Sequence, residues 1–417
     1  MGNKISVIGL GYVGFPLLFE MLKQHEVVGF DLDRDRVNGL LNGFDSTGEI
    51  DSSCLKEAAS NEKLNISYNT DILSDTDIYI VTVPTPVDEF NVPNLNPLKS
   101  AMKVIAKFLK KNDIVIVEST VFPGVTEEIC SPILEELSGL IFNKDFFMGY
   151  SPERINPGDK EHHLTKVVKV VSGSTQESLD KISKLYSSFI SAGVYQAKDI
   201  KTAEAAKVIE NAQRDVNIAF MNELTILFEK MDLNVLEVLE AAETKWNFIP
   251  FKPGLVGGHC IGVDPYYLTY KANKLGYHPE IIDAGRRIND SMPKFYAYDF
   301  IKKLSQSGKL TNKTRFLILG ITFKENCPDI RNSKVVDLVE ELLEFGANVD
   351  IYDPIADNEL VKKEYGLELI DDIEGLDWSV YSGIFCAVAH DEFRELEIDL
   401  SNSPLIYDIK SILKNTS

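Results

Sequence analysis

The stretch Ile5-Ser-Val-Ile-Gly9-Leu-Gly11-Tyr-Val-Gly14 decides how the first part of this chain folds. A β-branched run leads directly into the motif GxGxxG, an amphipathic pattern follows, and Asp31 ends the next β-branched run 20 residues after Gly11. The motif alone is a weak signal, but here strand, helix and acidic residue all stand where a dinucleotide-binding unit has them. Glycines permit a tight turn and a close approach to a pyrophosphate, whose charge the first amides of the helix stabilise. The stretch therefore predicts a Rossmann-like unit.

Asp31 indicates which dinucleotide is bound. Its carboxylate would accept hydrogen bonds from the ribose hydroxyls and would repel a 2′-phosphate, which favours NAD over NADP. Arg34 and Arg36 follow closely and could weaken this exclusion of NADP. A glycine turn that binds nothing is the alternative interpretation. The expected cofactor is NAD.

Short β-branched runs alternate with longer amphipathic stretches up to about residue 200, which predicts a parallel sheet covered by helices. Thr202 to Met231 is then one helical pattern without Pro or Gly, and a helix of about 30 residues is about 45 Å long. After residue 305 the first alternation returns. The predicted fold class is α/β, with two Rossmann-like doubly wound domains joined by a long central helix. The predicted domains are 1–200 (NAD binding), 201–304 (central, helical, with the cysteine loop) and 305–417 (C-terminal).

The composition excludes several classes of protein. The chain has 417 residues, with 43 Lys and Arg against 64 Asp and Glu, so its formal net charge is −21. This charge argues against a nucleic-acid partner. No stretch approaches the roughly 20 uninterrupted apolar residues of a membrane helix, and the N-terminus enters a strand without the apolar region of a signal peptide. We therefore expect a cytoplasmic protein with no membrane partner.

The densest chemistry of the sequence surrounds one cysteine, in Pro253-Gly-Leu-Val-Gly-Gly-His259-Cys260-Ile-Gly-Val-Asp264-Pro265. The chain has five cysteines without a CxxC pair, which argues against disulfides and structural zinc, so no metal is expected. Backbone amides in so glycine-rich a loop can turn toward an anion such as a diphosphate, and clustered amides make a thiol more nucleophilic. A buried structural cysteine is the alternative, and His259 is open to being a loop residue only.

Two further groups are candidates for the same chemistry. Lys207 and Asn211 are one turn apart on the predicted long helix, so a cation and an amide leave from one face and can stabilise an oxyanion. A solvated helix surface is the alternative interpretation. Two loops, Val83–Pro86 with Thr85 and Glu118–Gly124 with Thr120, are predicted at the carboxyl ends of strands, where such sheets bind ligands, although turn chemistry alone also explains them. Glu153, after another strand, is a possible base.

The C-terminal part has cations where a second GxGxxG motif would stand. Its first β-branched run ends in Gly320-Ile-Thr-Phe323-Lys324 and continues to Asp329-Ile-Arg331. This pattern indicates a phosphorylated ligand and no second dinucleotide.

Together these residues resemble the UDP-glucose/GDP-mannose dehydrogenase family, essentially from residue 4 to 410. The motifs GLGYVG, EST, GGHCIGVDP and FKENCPDIR, with Lys207 and Asn211 between them, are highly specific in this order and spacing. The resemblance implies an NAD-dependent enzyme that oxidises C6 of a nucleotide sugar twice, from alcohol to carboxylate, without releasing the aldehyde. It also implies a C-terminal domain that binds the UDP-sugar and, through the long helix, a homodimer or higher homo-oligomer.

The resemblance assigns catalytic roles to Cys260, Lys207, Asn211, Asp264, Glu153 and Thr120. Cys260 would attack the C6 aldehyde, and the thiohemiacetal would lose a second hydride to become a thioester that water cleaves. The pair on the long helix would stabilise oxyanions. Asp264 and Thr120 would position or activate water, and Glu153 would assist proton transfer in thioester hydrolysis.

The resemblance also implies two sets of binding residues. Those that match cofactor contacts are Gly9, Gly11, Tyr12, Val13, Gly14, Asp31, Arg36, Thr85, Ser119, Thr120 and Arg331. Those that match contacts to the UDP-sugar are Glu153, Arg154, Asn156, Pro157, Lys207, Asn211, Phe251, Pro253, Gly254, Gly257, Phe323 and Lys324.

Within the family, the segment from Lys245 to Leu268 most resembles the branch that oxidises UDP-N-acetylglucosamine or UDP-N-acetylgalactosamine for bacterial surface polysaccharides. UDP-N-acetylmannosamine enzymes share the GGHCI core, whereas UDP-glucose enzymes more often read like FGGSCFPKD. The UDP-glucose enzymes also have an arginine about sixteen residues before the cysteine, where this chain has Thr244 followed by Lys245. We expect a UDP-N-acetylhexosamine 6-dehydrogenase, with the configuration at C4 open.

Other functions remain as alternatives. A UDP-N-acetylmannosamine or UDP-glucose 6-dehydrogenase would keep the mechanism. A single-step hydroxyacid or 6-phosphogluconate type of dehydrogenase would have no use for Cys260 and would release one NADH per substrate rather than two. A non-catalytic sugar-nucleotide binder is disfavoured because the four residues Cys260, Lys207, Asn211 and Asp264 are all present.

Overall fold

The computed structural model describes residues 3–60, 64–153, 163–258, 261–311, 314–373, 375–396, 398 and 404–414. The chain divides into two compact units: Met1–Glu210 with Tyr266–Leu275, and Asn211–Pro265 with Gly276–Ser417. The domain boundaries predicted from the sequence, near residues 200 and 304, stay a prediction.

The first unit is built on an eight-stranded sheet with the order β3-β2-β1-β4-β5-β6-β7-β8. The strands are β1 (Ile5–Ile8), β2 (Val27–Phe30), β3 (Asn65–Ser67), β4 (Ile78–Val81), β5 (Ile114–Val117), β6 (Phe147–Tyr150), β7 (Lys169–Gly173) and β8 (Val194–Gln196). Every residue of β1, β2, β4 and β5 is buried. Such continuous burial is typical of parallel strands covered on both faces, so the predicted doubly wound sheet is confirmed.

The last two strands of this sheet, β7 and β8, are parallel to each other and run against the other six. β6 and β7 are antiparallel, with Gly149 opposite Gly173 and Tyr150 opposite Ser172. The alternation of strands and helices predicts a parallel sheet, and this pair departs from it. Because of the reversal, the first residue of β7 lies at the edge of the sheet where β5 and β6 end.

In the described part of the chain before residue 200, the helices are α1 (Gly14–Met21), α2 (Arg34–Leu41), α3 (Ser52–Ser60), α4 (Asn96–Ile105), α5 (Ser131–Ser138) and α6 (Gln176–Ser187). Their ends follow local sequence signals. Asp33 caps α2 by accepting hydrogen bonds from the amides of Asp35 and Arg36, and Thr175 and Ser178 form a capping box at the start of α6.

The next helices among the described residues are α7 (Ile200–Glu229), α8 (Val235–Glu243), α9 (Asp264–Lys274) and α10 (Glu280–Gln306). The predicted long helix is thereby confirmed, and α7 begins and ends two residues earlier than the pattern Thr202 to Met231 indicates. No helix within the described ranges is both long and apolar enough to cross a membrane.

The second unit contains a parallel four-stranded sheet with the order β10-β9-β11-β12. Its strands and remaining helices are β9 (Arg315–Leu319), α11 (Lys334–Glu344), β10 (Asn348–Tyr352), α12 (Asn358–Tyr365), β11 (Gly383–Cys386) and β12 (Leu405–Asp408). Aromatic rings fill its core: Phe385 stacks on Tyr407 with centroids 4.9 Å apart, and Phe300 contacts both edge-on. The predicted second Rossmann-like domain is confirmed.

Candidate active site

The glycine-rich turn after β1 has the shape that a dinucleotide needs. Gly9 has a φ of +95°, which favours glycine, and a Cβ there would lie 3.1 Å from the carbonyl of Thr82. A Cβ on Gly14 would overlap the Gly9 carbonyl oxygen and the Thr82 hydroxyl. A Cβ on Gly11 would meet nothing within 4 Å. Two of the glycines are thus required by the fold, and the third leaves open space in front of the helix start.

Asp31 and Arg36 hold the turn through the backbone of one residue. Asp31 Oδ2 accepts a hydrogen bond from the Leu10 amide at 2.7 Å, and Arg36 Nε donates to the Leu10 carbonyl at 2.7 Å. Arg36 is also paired with the buried Asp45 at 2.6 Å. The Arg36 guanidinium is therefore bound to the backbone of the turn and to Asp45. Arg34 instead lies over the ring of Tyr68. The turn and its acidic residue fit the expected NAD, with Asp31 next to the glycines.

The two loops after β4 and β5 are joined at the carboxyl edge of the sheet. Thr85 Oγ1 donates to the carbonyl of Thr120 at 2.7 Å, and Ser119 Oγ donates to the carbonyl of Val83 at 2.6 Å. The Tyr267 hydroxyl donates to the Thr85 carbonyl. The structure thus brings together three of the predicted cofactor residues in a single hydrogen-bonded rim.

A stripe of buried polar side chains runs along α7. Its members recur at spacings of three, four and seven residues, so they share one face of the helix; they are Glu204, Lys207, Asn211, Asp215 and Asn222, none more than 6% exposed. A buried polar face is costly unless each group finds a partner. The predicted pair Lys207 and Asn211 belongs to this stripe and is not solvated helix surface.

Glu204, at the start of the stripe, holds the loop that carries Thr120. Its carboxylate accepts hydrogen bonds from the amide of Gly124 at 2.5 Å and from the amide of Thr126 at 2.9 Å. Burial raises the pKa of Glu204 to about 7, although the amide hydrogen bonds oppose this shift. The sequence interpretation missed this residue, although it stands three residues before Lys207 on the same helix face.

In the second unit, Asn211 Nδ2 donates a hydrogen bond of 2.6 Å to Asp264 Oδ2. Asn211 is 1% exposed and Asp264 is 3% exposed, so an amide and a carboxylate meet in a buried position. Further along α7, Asp215 pairs with the buried Arg286 at 2.6 Å. Two of the predicted catalytic residues are thus in direct contact.

Glu153 lies in a buried cluster of charges in the first unit. Lys169 Nζ is 2.5 Å from Glu153 Oε2 and 2.9 Å from Glu118 Oε2. The Tyr186 hydroxyl is hydrogen-bonded to the other oxygen of Glu118. The sequence interpretation identified Glu153 but missed Lys169, for which the only signal is a charged residue within a run of valines.

The loop that leads to the predicted nucleophile is tied down on the second unit. Asn222 donates to the Gly254 carbonyl and accepts from the Gly254 amide, at 3.0 and 2.9 Å, and Lys410 donates to the Pro253 carbonyl at 2.7 Å. A Cβ on Gly257 would overlap the Asn332 carbonyl oxygen. Close backbone contact thus explains why glycine stands at this position.

Phe323 and Lys324 follow β9 beside this loop. A Cβ on Gly258, whose φ is +79°, would lie 2.6 Å from the Phe323 ring, and Lys324 Nζ lies 5.8 Å from the centroid of the same ring. The predicted substrate residues Phe251, Pro253, Gly254, Gly257, Phe323 and Lys324 all belong to the second unit. Arg331, predicted for the cofactor, is also there and forms a two-pronged ion pair with Asp329.

A buried histidine, missed by the sequence interpretation, supports the Phe323 loop. His390 Nδ1 accepts from the Asn326 amide at 3.0 Å, which leaves Nε2 to donate to Asp353 Oδ2 at 3.1 Å. Asp353 also accepts from the amides of Ile321 and Thr322. Burial alone would raise the pKa of Asp353, but these hydrogen bonds, with His390 first among them, lower it.

Five of the residues singled out from the sequence lie outside the described residues: Arg154, Asn156, Pro157, His259 and Cys260. Thr244 and Lys245, at the position of the family arginine, are both exposed. Within the ranges that the structure describes, no three His, Cys, Asp or Glu side chains gather as metal ligands would.

Comparison with known proteins gives matches along the whole chain. Three family models match, described as the NAD binding domain (residues 3–190), the central domain (residues 201–291) and the UDP binding domain (residues 317–415) of the UDP-glucose/GDP-mannose dehydrogenase family. The chain is 52% identical over 415 residues to a protein from Pseudomonas aeruginosa named UDP-N-acetyl-D-glucosamine 6-dehydrogenase, with coverage of 98% of this chain and 97% of the relative.

A protein of the same name from Salmonella typhi is 48% identical over 415 residues, covering 98% of this chain and 96% of the relative. Among solved structures, a UDP-D-ManNAc dehydrogenase from Pyrococcus horikoshii superimposes with a TM-score of 0.88 at 29% identity. That comparison covers 99% of this chain and 96% of the other chain.

Proposed function

Because this chain belongs to the UDP-glucose/GDP-mannose dehydrogenase family, which consists of NAD-dependent dehydrogenases, we propose that it oxidises C6 of a UDP-N-acetylhexosamine twice, to the uronic acid. UDP-N-acetylglucosamine and UDP-N-acetylgalactosamine are the proposed substrates. The observation that carries this substrate class is the identity of about 50%, along almost the whole chain, to two proteins named for UDP-N-acetyl-D-glucosamine. UDP-N-acetylmannosamine and UDP-glucose are the alternatives.

The buried face of α7 supports the oxidation chemistry. NAD, when bound, supplies the electron acceptor for both oxidations, and the turn from Gly9 to Gly14 with Asp31 would hold it. Lys207 and Asn211 would stabilise negative charge on the oxygen at C6, because a buried cation and a buried amide act more strongly than solvated ones. We assign them this role from their position in the family motif and their burial.

The acyl chemistry is proposed for Cys260, on the basis of its position in the GGHCIGVDP motif. Its sulfur would bond to the aldehyde carbon, and the second oxidation would turn this thiohemiacetal into a thioester. Water would then cleave the thioester. Asp264, fixed by its hydrogen bond to Asn211, and Thr120 would position that water, and Glu153 would take its proton.

The second unit is proposed to bind the UDP part of the substrate, in agreement with the UDP binding domain matched over residues 317–415. Phe323 offers a ring to the nucleotide and Lys324 a cation to the diphosphate. Asn222 and Lys410 hold the loop around Gly254 through hydrogen bonds to its backbone carbonyls. The remaining predicted contacts at Arg154, Asn156 and Pro157 rest on the family motif alone.

The oligomeric state is part of the proposal. Apolar side chains that are about half exposed follow one line along α7: Ile209, Phe220 and Leu227, at spacings of eleven and seven residues. Exposed apolar stripes on long helices are typical of subunit interfaces. We therefore propose a homodimer or a higher homo-oligomer that buries this stripe. A role in surface polysaccharide synthesis and a cytoplasmic location stay predictions from the sequence.

The yield of NADH tests the reaction. Purified protein is incubated with excess NAD and a limiting amount of UDP-GlcNAc, UDP-GalNAc, UDP-ManNAc, UDP-glucose or GDP-mannose. We expect two NADH per mole of an N-acetylated UDP-hexosamine. One NADH would contradict the four-electron reaction, and two NADH from UDP-glucose alone would keep the mechanism and change the substrate.

The variant Cys260→Ala tests the acyl steps. It should abolish uronate formation while the affinity for NAD stays nearly unchanged, because the thiol acts only on the sugar. Cys54→Ala, which alters an exposed cysteine, is the matched control and should keep full activity. Normal uronate production by Cys260→Ala would remove the thioester from the mechanism.

A further inference from the structure

The buried charge cluster around Lys169 exists because β7 is reversed. In the direction set by the antiparallel pair Tyr150 and Ser172, Glu153 comes three residues after Tyr150 and Lys169 three residues before Ser172, so the two side chains meet. Glu118 follows β5 directly, so its side chain reaches the same edge. A parallel β7 would have placed Lys169 at the opposite edge of the sheet, far from both glutamates.

All three charged side chains are withdrawn from water. The side chains of Lys169, Glu118 and Glu153 are 3%, 0% and 6% exposed. An isolated buried charge is strongly unfavourable. The Lys169 ammonium and the two carboxylates therefore compensate one another's cost of burial. The Tyr186 hydroxyl gives Glu118 a further hydrogen bond. Lys169 is the first residue of β7, so its ion pair fixes the orientation of Glu153 relative to the sheet.

The electrostatics favour a permanent cation at Lys169. Burial alone would lower the pKa of Lys169, but Glu118 and Glu153 together raise it. Burial raises the pKa of Glu118, against the opposing effect of Lys169. One ammonium thus faces two carboxyl groups.

We propose that Lys169 is a positioning residue for the hydrolytic step, which holds the Glu153 carboxylate oriented as the base for the attacking water. This inference rests on the proposed function. In that step the water oxygen bonds to the thioester carbon, and one water proton passes to Glu153. The carbon–sulfur bond breaks, and its electron pair leaves with the sulfur. Glu118 and Tyr186 anchor Lys169 and do not take part in the step.

Because the two oxidations precede hydrolysis, loss of Lys169 should separate them from it. In Lys169→Met, rapid mixing with NAD and UDP-GlcNAc should still give a first burst of two NADH per subunit. The steady-state rate should then fall at least tenfold, and mass spectrometry of the quenched enzyme should find the sugar nucleotide attached to the chain. Lys169→Arg keeps the cation and should restore at least a third of the steady-state rate.

Two further proteins keep the test decisive. Lys169→Met combined with Glu118→Gln removes one positive and one negative charge together, and it serves if the single variant does not fold. The wild type is measured alongside with the same substrate. A wild type that yields no oxidation or one NADH would overturn the proposed function itself.

If the wild type yields two NADH, the proposed function holds, and the variants then test the positioning role of Lys169. A steady-state rate within twofold of the wild type would overturn the role of Lys169. A parallel loss of burst and steady-state rate in folded protein would also overturn it, because a merely structural residue affects both. A slow steady state with an intact burst and a covalent adduct supports it.

Discussion

The side-chain amide of Asn211 donates a hydrogen bond of 2.6 Å to the carboxylate of Asp264, and both side chains are almost fully buried. The stripe on α7 thus fixes the orientation of a carboxylate that is proposed to act on water. Asp264→Asn keeps an oxygen that can accept the hydrogen bond but removes the charge. We expect kcat to fall about 100-fold or more, with the melting temperature changed by a few degrees at most.

The control for this prediction is Asp283→Asn, which alters a partly exposed carboxylate at the start of α10. It should keep kcat within twofold. A kcat within fivefold of the wild type for Asp264→Asn would show that the charge of Asp264 is not needed.

Glu204 should make stability depend on pH. Its pKa rises from 4.5 to about 7 on folding, so between these values the folded protein holds a proton that the unfolded chain has lost. The contribution of this group to the free energy of unfolding therefore falls as pH rises through the window, by on the order of 3 kcal/mol. Denaturant unfolding at pH 5 and pH 8 measures this.

Glu204→Gln removes the titration and leaves one of the two amides, of Gly124 or Thr126, without an acceptor. At pH 5 it should destabilise the protein by about 1–3 kcal/mol, and at pH 8 by clearly less. Glu223→Gln, on the exposed side of α7, should show no such difference. An equal loss at both pH values would contradict the ionisation assigned to Glu204.

Asp31 should govern the choice of cofactor. Asp31→Asn retains an acceptor for the Leu10 amide but no longer repels a 2′-phosphate, so the preference for NAD over NADP in kcat/KM should fall at least tenfold. Asp33→Asn makes the same change of charge two residues later, at the cap of α2, and should leave the preference within threefold. An unchanged preference in Asp31→Asn would remove its ribose role.

His390 should affect one ligand and not the other. His390→Gln cannot replace both its acceptor for the Asn326 amide and its donor to Asp353, so the Phe323 loop should loosen and stability fall by about 1–3 kcal/mol. Calorimetry should show UDP binding weakened about tenfold, with NAD binding within twofold. His278→Gln alters an exposed histidine as control. Equal weakening of both ligands would point to a general loss of structure.

The elements that local sequence determines could be predicted well. The β-branched runs and the glycine motif predict β1, β2, β4 and β5, and the long stretch without Pro or Gly predicts α7. The direction of β7 could not be predicted, because an alternating strand pattern is the same whichever way the strand runs. For the same reason the meeting of Lys169 with Glu153 was not foreseen.

The candidate site was predictable where its residues share an element or a motif. Lys207 and Asn211 follow from their spacing on one helix, and the same spacing extends to Glu204. His390 and Asp353 are 37 residues apart and come together only because β10 and β11 both flank β9. A sequence without its fold gives no sign of such a pair.

Helix α9 has a consequence for how the protein is made. The first compact unit is not complete at Glu210, because residues Tyr266–Leu275 return to it. There the Tyr267 hydroxyl bonds to the Thr85 carbonyl and Lys271 pairs with Glu128. The ribosome must therefore add a further 65 residues, from 210 to 275, before this unit can close. A fragment that ends at Glu210 would carry the glycine turn but lack Tyr267, which binds the Thr85 carbonyl, so any single run of chain that completes this unit also includes residues 211–265 of the other unit.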